Sequence, residues 1–255
     1  MIIFDELKHA ENILKTGRRS KKYVNYDNII LVKYWKYKGF GEYEIRKFLK
    51  DMMVDYEYLF NRNILERKIN RAITIGMKFD LLTGINIEIT DKEIKLINSL
   101  DKIELRKMMF VLLVVWKFRG MPKRFKISNE DLMKLSQVRV NNSTFWNYIY
   151  QITQTKMLSM VEYKNKSYYR IHIDTFEENS ILKINDFDNI IYYYLSLVEP
   201  EKYNLCEECG KIIKLTSNRQ KYCRSCFVKQ RREYKTEKER EYRLRGQLEN
   251  PQKPL

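Results

Sequence analysis

Cys206-Glu207-Glu208-Cys209-Gly210 and Cys223-Arg224-Ser225-Cys226 contain all four cysteines of the chain, as two Cys-x-x-Cys pairs with thirteen residues between them. A pair at this spacing brings two thiolates from one tight turn to one ion. Two such pairs complete a tetrahedral all-sulfur shell, which suits Zn²⁺. Gly210 supplies the open backbone that a knuckle needs. The spacer is slightly shorter than is usual for four-cysteine sites, but long enough for a hairpin. The expected ligands of one structural Zn²⁺ are therefore Cys206, Cys209, Cys223 and Cys226. A full sulfur shell leaves no open coordination position, which argues against a catalytic ion. Two disulfides, which a reducing compartment disfavours, and four free thiols are the alternatives. A thioredoxin-like redox pair would need a βαβ context that the sequence lacks.

From Phe227 the chain has neither Pro nor Gly until Gly246, so a long helix is expected. Between Arg219 and Arg245, eleven Lys and Arg stand against four Glu, a net of +7. After Val228 the large apolar residues are few, so this helix should project or lie on a partner. Pairs such as Glu239 with Arg243 can support it in isolation. Arg219, Lys221, Arg224, Lys229, Arg231, Arg232 and Lys235 suit phosphate contacts better than base reading. A disordered tail is expected over 247–255.

The rest of the composition points the same way. The 255 residues are 44% hydrophobic, enough for real cores, and hold only four Pro and eight Gly, so the fold should be mainly α. The formal net charge is +16. Such a charge favours a polyanion as partner, nucleic acid first and DNA before RNA, with a membrane surface or mere solvation as weaker alternatives. The longest apolar run, Met108–Trp116, has nine residues, far short of the roughly 20 of a membrane span. The start, Met1-Ile-Ile-Phe-Asp-Glu, is acidic where a signal peptide is basic, so a cytoplasmic protein is expected.

Working back along the chain, residues 203–246 form the finger and its helix. Residues 85–200 form a central domain, 26–84 a helical module and 1–25 an arm. In the arm Lys15, Arg18, Arg19, Lys21 and Lys22 form a basic knot that reads either as a phosphate contact or as a solvated linker. In the central domain, Ile85-Asn-Ile-Glu-Ile89 alternates as a strand. Thr90 to Glu93 is a capping box, Asp101 is the expected cap of an all-round apolar helix, and Gly120-Met-Pro122 stops that helix. A strand over 124–127 and a helix capped by Ser128 follow. A further helix spans about 143–155, and strands at 158–163 and 168–173 come after it, joined by Lys164-Asn-Lys-Ser167. Residues 174–204 read as an acid-rich loop and an apolar helix over about 187–198.

This order of elements over 101–174 resembles a winged helix-turn-helix. The resemblance implies that the helix near 143–155 reads DNA. Phe145, Tyr148, Ile149 and Ile152 would face the core, and Thr144, Asn147, Gln151 and Gln154 the groove. Asn141, Asn142 and Ser143 lie at the helix start, where base contacts concentrate, and Lys164 and Lys166 at the wing tip. The alternative is that these polar residues are simply solvated. Cys206, Cys209, Gly210, Lys211, Tyr222, Cys223 and Cys226 resemble the treble-clef or zinc-ribbon-like fingers of phage and mobile-element proteins of Gram-positive bacteria. Asn28, Leu31, Tyr34, Tyr37, Gly39, Phe40, Glu44, Ile45 and Leu49 are similar to the helical module that follows the catalytic part of some plasmid and phage primases.

No phosphate-cradling Gly-rich loop, nucleophile elbow or His-containing metal motif is present, and the two histidines, His9 and His172, lie far from the cysteines. The expectation is a non-enzymatic DNA-binding protein of a phage or mobile element, acting in replication initiation or transcriptional control, with no membrane or small-molecule substrate. The alternative is a phage inhibitor that engages a host nucleic-acid-processing enzyme or ribonucleoprotein through its basic surfaces.

Overall fold

A computed structural model describes residues 2–18, 23–53, 62–163, 166–173, 179–187, 189–217 and 219–249. The fold is mainly α, with ten helices among the described residues and only two-stranded ladders. No described helix is long and apolar enough to cross a membrane. The chain divides into two units, residues 1–88 with 116–122, and residues 89–115 with 123–255.

The first unit contains α1 (Glu6–Thr16), α2 (Val24–Tyr37), α3 (Glu42–Asp51) and α4 (Arg62–Lys78). Asp5 caps α1 by accepting the Lys8 N–H at 2.9 Å. Gly39 ends the turn after α2 at φ 89°, a conformation that costs a glycine nothing, and the Glu44 carboxylate accepts the Gly41 N–H at 3.0 Å to start α3. Helix α2 packs against α1, α3 and α4. That is why it is apolar on several sides rather than along one stripe. Ile30, Leu31 and Val32 are all fully buried, and Ile45, Leu49, Ile69 and Ile73 complete the core around them.

Gly76 is buried where α4 crosses α2. A Cβ there would lie 2.6 Å from Val32 Cβ and 3.1 Å from the Ile29 carbonyl oxygen. Alanine ordinarily gains about 0.5–1 kcal/mol over glycine inside a helix, but overpacking a core costs about 1–3 kcal/mol. Gly76→Ala is therefore expected to lower stability in a urea titration, and Val32→Ala in the same chain not to restore it, because alanine keeps the Cβ that the new methyl would strike. A stabilised single variant would mean that the two helices separate freely.

The second unit begins in β1 (Ile87–Thr90), which pairs with β4 (Ser180–Ile184). Thr90 and Glu93 form the expected capping box at the start of α5 (Asp91–Asn98), with the Glu93 carboxylate accepting the Thr90 N–H at 2.8 Å. Helix α6 (Ile103–Phe118) is buried throughout Met108–Val115, as its all-round apolar sequence requires. It starts one residue later than an Asp101 cap would place it. Its last residues, from Trp116 on, belong to the first unit, where the Trp116 indole donates to the Pro122 carbonyl at 2.9 Å.

Next come α7 (Asn129–Ser136), capped by Ser128, and α8 (Asn142–Gln154), followed by β2 (Leu158–Tyr163) and β3 (Lys166–Ile171). β2 and β3 are antiparallel, in the register Leu158 with Ile171 and Tyr163 with Lys166. The strand expected over 124–127 shrinks to one bridge, Phe125 with Tyr169, closed by hydrogen bonds of 2.9 and 2.8 Å. The helix expected from 187 starts at Ile190 as α9 (Ile190–Val198). Of its three tyrosines, Tyr193 and Tyr194 are buried and Tyr192 is half-buried. The Tyr194 hydroxyl donates to Asn98 Oδ1 at 2.7 Å, and its ring lies 5.3 Å from that of Phe110. The chain ends in β5 (Tyr203–Leu205), β6 (Ile212–Lys214) and α10 (Arg224–Glu249). Helix α10 carries the chain through Glu249, so residues 247–249 are helical. The remainder of the expected tail, 250–255, lies outside the described residues.

Candidate metal centre and nucleic-acid interface

β5 delivers Cys206, the chain turns through Cys209 and Gly210, and β6 leads away. The knuckle is thus itself the turn of the β5–β6 hairpin, with Tyr203 opposite Lys214 and Leu205 opposite Ile212. This corrects the expectation of a hairpin between the two cysteine pairs. The strand partner of β6 precedes the first pair, because only a turn at the knuckle places Cys206 at a strand end. Gly210 sits at φ 66°, and its N–H donates to the Cys206 carbonyl at 2.8 Å. The loop back to the second pair is held by Gln220, whose Oε1 accepts the Thr216 N–H and hydroxyl, each at 2.8 Å. Cys223 precedes α10, and Cys226 lies in its first turn.

The four Sγ atoms lie within 4.8 Å of one another, and Cys209 and Cys223 are 3.7 Å apart. A tetrahedral ion with metal–sulfur bonds of about 2.3 Å needs sulfur–sulfur edges of about 3.8 Å. The cluster therefore fits a four-coordinate metal. Cys206 and Cys226 are buried, Cys223 is half-buried and Cys209 is exposed. The Cys223 N–H donates to Cys206 Sγ at 3.2 Å, the kind of backbone support a thiolate ligand needs. Burial acts to raise the Cys223 thiol, but the Ser225 hydroxyl and the Cys226 N–H outweigh it and hold it down at about 6. Cys226 is pushed up to about 12, first by its hydrogen bond to the Cys223 sulfur and then by burial. Four thiols this close cannot all ionise unaided, since each charge opposes the next. A dication removes that opposition.

The residues between the first two cysteines brace the finger. Glu207 pairs with Lys221 at 3.1 Å, and Glu208 reaches Lys229 at 3.4 Å and accepts from Gln230 at 3.1 Å, both on α10. Lys211 pairs with Asp186 at 3.1 Å, and the Tyr192 and Tyr203 rings lie 5.3 Å apart. The finger is thereby docked on α9.

Every side chain of α10 from Arg231 to Tyr242 is exposed. At 100° per residue, Arg224, Arg231, Lys235 and Lys238 form one stripe with Tyr242, bordered by Glu239 and Glu241, while Glu233 and Glu237 share the opposite side with Lys229 and Arg240. Among the described residues Arg219, Arg224, Arg231, Arg232 and Lys235 have no carboxylate partner. Lys221, Lys229 and Lys238, by contrast, are tied to glutamates.

On α8, Phe145, Ile149 and Ile152 are buried as expected, and Tyr148 is half-buried. Asn142, Ser143, Asn147 and Gln154 are exposed. Thr144 and Gln151 are half-buried at the flank, Gln151 donating to Asn147 Oδ1 at 3.2 Å. Asn141 is the helix cap, and its Oδ1 accepts the Thr144 N–H at 2.8 Å. Trp146 (38% exposed) and Tyr150 (62%) were missed as outward residues. The same periodicity could have found Tyr150, which falls opposite Phe145, Ile149 and Ile152. Arg124 stacks 3.5 Å over Tyr163 at the end of β2. Lys164 lies outside the described residues, and Lys166 opens β3. His172 is exposed and hydrogen-bonds Ser159 at 2.7 Å. Arg18 is in the first unit, half-buried and donating inward to Asn28 and to the Met52 carbonyl. Arg19, Lys21 and Lys22 lie outside the described residues. The candidates thus belong to different units rather than to one cluster. Comparison of the chain with protein-family models, with curated proteins and with solved structures finds no match.

Proposed function

We propose that the chain is a non-enzymatic nucleic-acid-binding protein, with duplex DNA the preferred partner, and that its four cysteines hold one structural Zn²⁺. All-thiolate ligation favours Zn²⁺ over the harder cations. The observation that carries the reading is α10, a basic helix whose side chains from Arg231 to Tyr242 are all exposed and whose first turn holds Cys226 of the sulfur cluster. Residues 101–174 act as a winged helix-turn-helix of a phage or mobile element, in replication initiation or transcriptional control. The order of α6, the Phe125 bridge, α7, α8, β2 and β3 supports this. In this arrangement α10 supplies phosphate contacts and the exposed Ser143, Asn147 and Gln154 supply base contacts.

The test is a salt titration of duplex binding. Affinity should fall steeply with salt, and replacing Arg224, Arg231 and Lys235 by Gln should reduce the log–log slope by about 2.7, at about 0.9 per phosphate contact. A chain that fails to retain duplex or single strands at moderate salt would sink the proposal.

One observation favours a second reading. Helix α8 has no charged residue in a chain of net charge +16, and it exposes Trp146 and Tyr150. A neutral aromatic face suits a protein partner, as in an inhibitor of a host nucleic-acid enzyme. Capture of one host protein that survives nuclease treatment, and is lost in Tyr150→Glu, would favour that reading over DNA.

A further inference from the structure

The first unit has a groove of about 600 Å³ between α2 and α4, lined chiefly by Asn25, Tyr26, Ile29, Arg67, Lys68 and Arg71. Its floor is apolar, Ile29 with Ala72. One wall is aromatic, with Tyr26 42% exposed. The other is a row of three cations. Arg67 and Arg71 stand four residues apart on one helix, a like-charge spacing that weakens the helix by a few tenths of a kcal/mol. Among the described residues no carboxylate pairs with either. Lys68 reaches across the groove and donates to Asn25 Oδ1 at 2.9 Å, so the polar rim is already ordered. Burial, and then the Glu6 carboxylate, raise the Tyr26 hydroxyl above its ordinary range, with Arg119 opposing them, so Tyr26 stays a neutral ring.

We propose that this groove binds a single-stranded nucleic-acid segment, with one base stacked on Tyr26 and the adjoining phosphates held by Arg67, Lys68 and Arg71. An aromatic platform beside a basic rail is the chemistry by which single strands are bound without sequence preference. A duplex does not satisfy the same geometry. Its base faces are covered by their neighbours, and its convex backbone would meet the rim cations while leaving Tyr26 and the apolar floor uncovered. The site lies in the first unit and uses no residue of α8 or α10, so it stands apart from the duplex contacts proposed above.

The test uses the zinc-loaded full chain and two labelled probes, oligothymidine and a mixed-sequence duplex, with binding read by fluorescence anisotropy. Tyr26→Ala is expected to weaken oligothymidine about 5- to 160-fold, the range of one lost base stack, whereas Tyr26→Phe keeps the platform and the affinity. Arg67→Gln with Arg71→Gln should weaken it too and lower its salt slope by about 1.4, at about 0.7 per phosphate on a single strand. Duplex affinity should be unchanged in all of these. Tyr26, Arg67 and Arg71 are exposed, so the variants are expected to fold, and matching thermal melts check this. The proposal is overturned if wild type fails to bind oligothymidine, if these variants bind it like wild type, or if both probes weaken in parallel. If the α10 glutamine variant alone loses both probes, the groove is refuted while the duplex reading stands. Loss of oligothymidine from the groove variants, with no duplex binding by any form, supports the groove and refutes the duplex reading.

Discussion

Cys206→Ser is expected to reduce bound zinc from one ion per chain to none and to unfold residues 203–228. Cys206 is 2% exposed, and its sulfur both faces the other three and accepts the Cys223 N–H. Beyond the sulfurs little holds this segment. Its buried cluster is Cys206, Ile213 and Cys226, with Leu215, Tyr222 and Cys223 partly covered. A core that small cannot offset the entropy of ordering more than twenty residues. Zinc binding in finger peptides is worth about 10–16 kcal/mol, and most of that is folding free energy. Metal analysis should show the missing ion, and hydrogen exchange should show lost protection at β5, β6 and the first turn of α10.

Duplex retention should fall with it, because the described contacts that tie the root of α10 to the finger run through the cysteines and from Glu208 to Lys229 and Gln230. The first unit shares none of these residues and should keep its protection. Strong chelation should reproduce the variant. Acid should do the same, since protons compete with the ion for sulfur and affinity falls as pH falls. A Cys206→Ser chain that keeps both its finger protection and its duplex affinity would show that the α9 docking contacts suffice and that the metal is dispensable.

The parts of this design that the sequence displays are those fixed by local chemistry. The sulfur spacing required a four-ligand site, and the four Sγ atoms do converge. Thr90 with Glu93 and Ser128 with Asp131 set helix starts through their own side chains, so they were readable without knowledge of the core. The nine-residue apolar run of α6 had to be buried. What stayed hidden depends on partners distant in sequence. β4 is short and flanked by acids, and it exists because β1, some ninety residues earlier, offers an edge. The hairpin at the knuckle was misplaced because β5 lies before the cysteines and carries only three residues. Arg18 looked like one more cation of a basic knot, and only the fold reveals Asn28 as its partner. Glu6, a charged residue of the N-terminal arm, gave no sign in the sequence that it would end up buried.

That buried glutamate carries the largest expected effect in the first unit. Glu6 is 2% exposed and Lys33 9%, and both carboxylate oxygens lie 3.0 Å from the Lys33 ammonium. Oε2 also accepts the Leu82 N–H at 2.9 Å, so the pair ties α1 to α2 and to the chain beyond α4. Glu6→Leu alone strands an ammonium in the core and should cost about 3–5 kcal/mol in a urea titration. Lys33→Met alone should cost somewhat less, because the remaining carboxylate keeps the Leu82 N–H. The two together remove both charges and leave apolar groups of similar size. The double variant should therefore recover most of the loss, since the attraction in a buried pair seldom exceeds the cost of desolvating it, and stay about 1–3 kcal/mol below wild type because the Leu82 N–H has lost its acceptor. The coupling free energy from the full double-mutant cycle should accordingly be several kcal/mol. Single-variant losses under about 1 kcal/mol would mean that water reaches the pair and that it behaves like a surface salt bridge. A double variant as damaged as the sum of the singles would mean that the two side chains act separately, through packing, and that the ion pair specifies nothing about how α1 lies on α2.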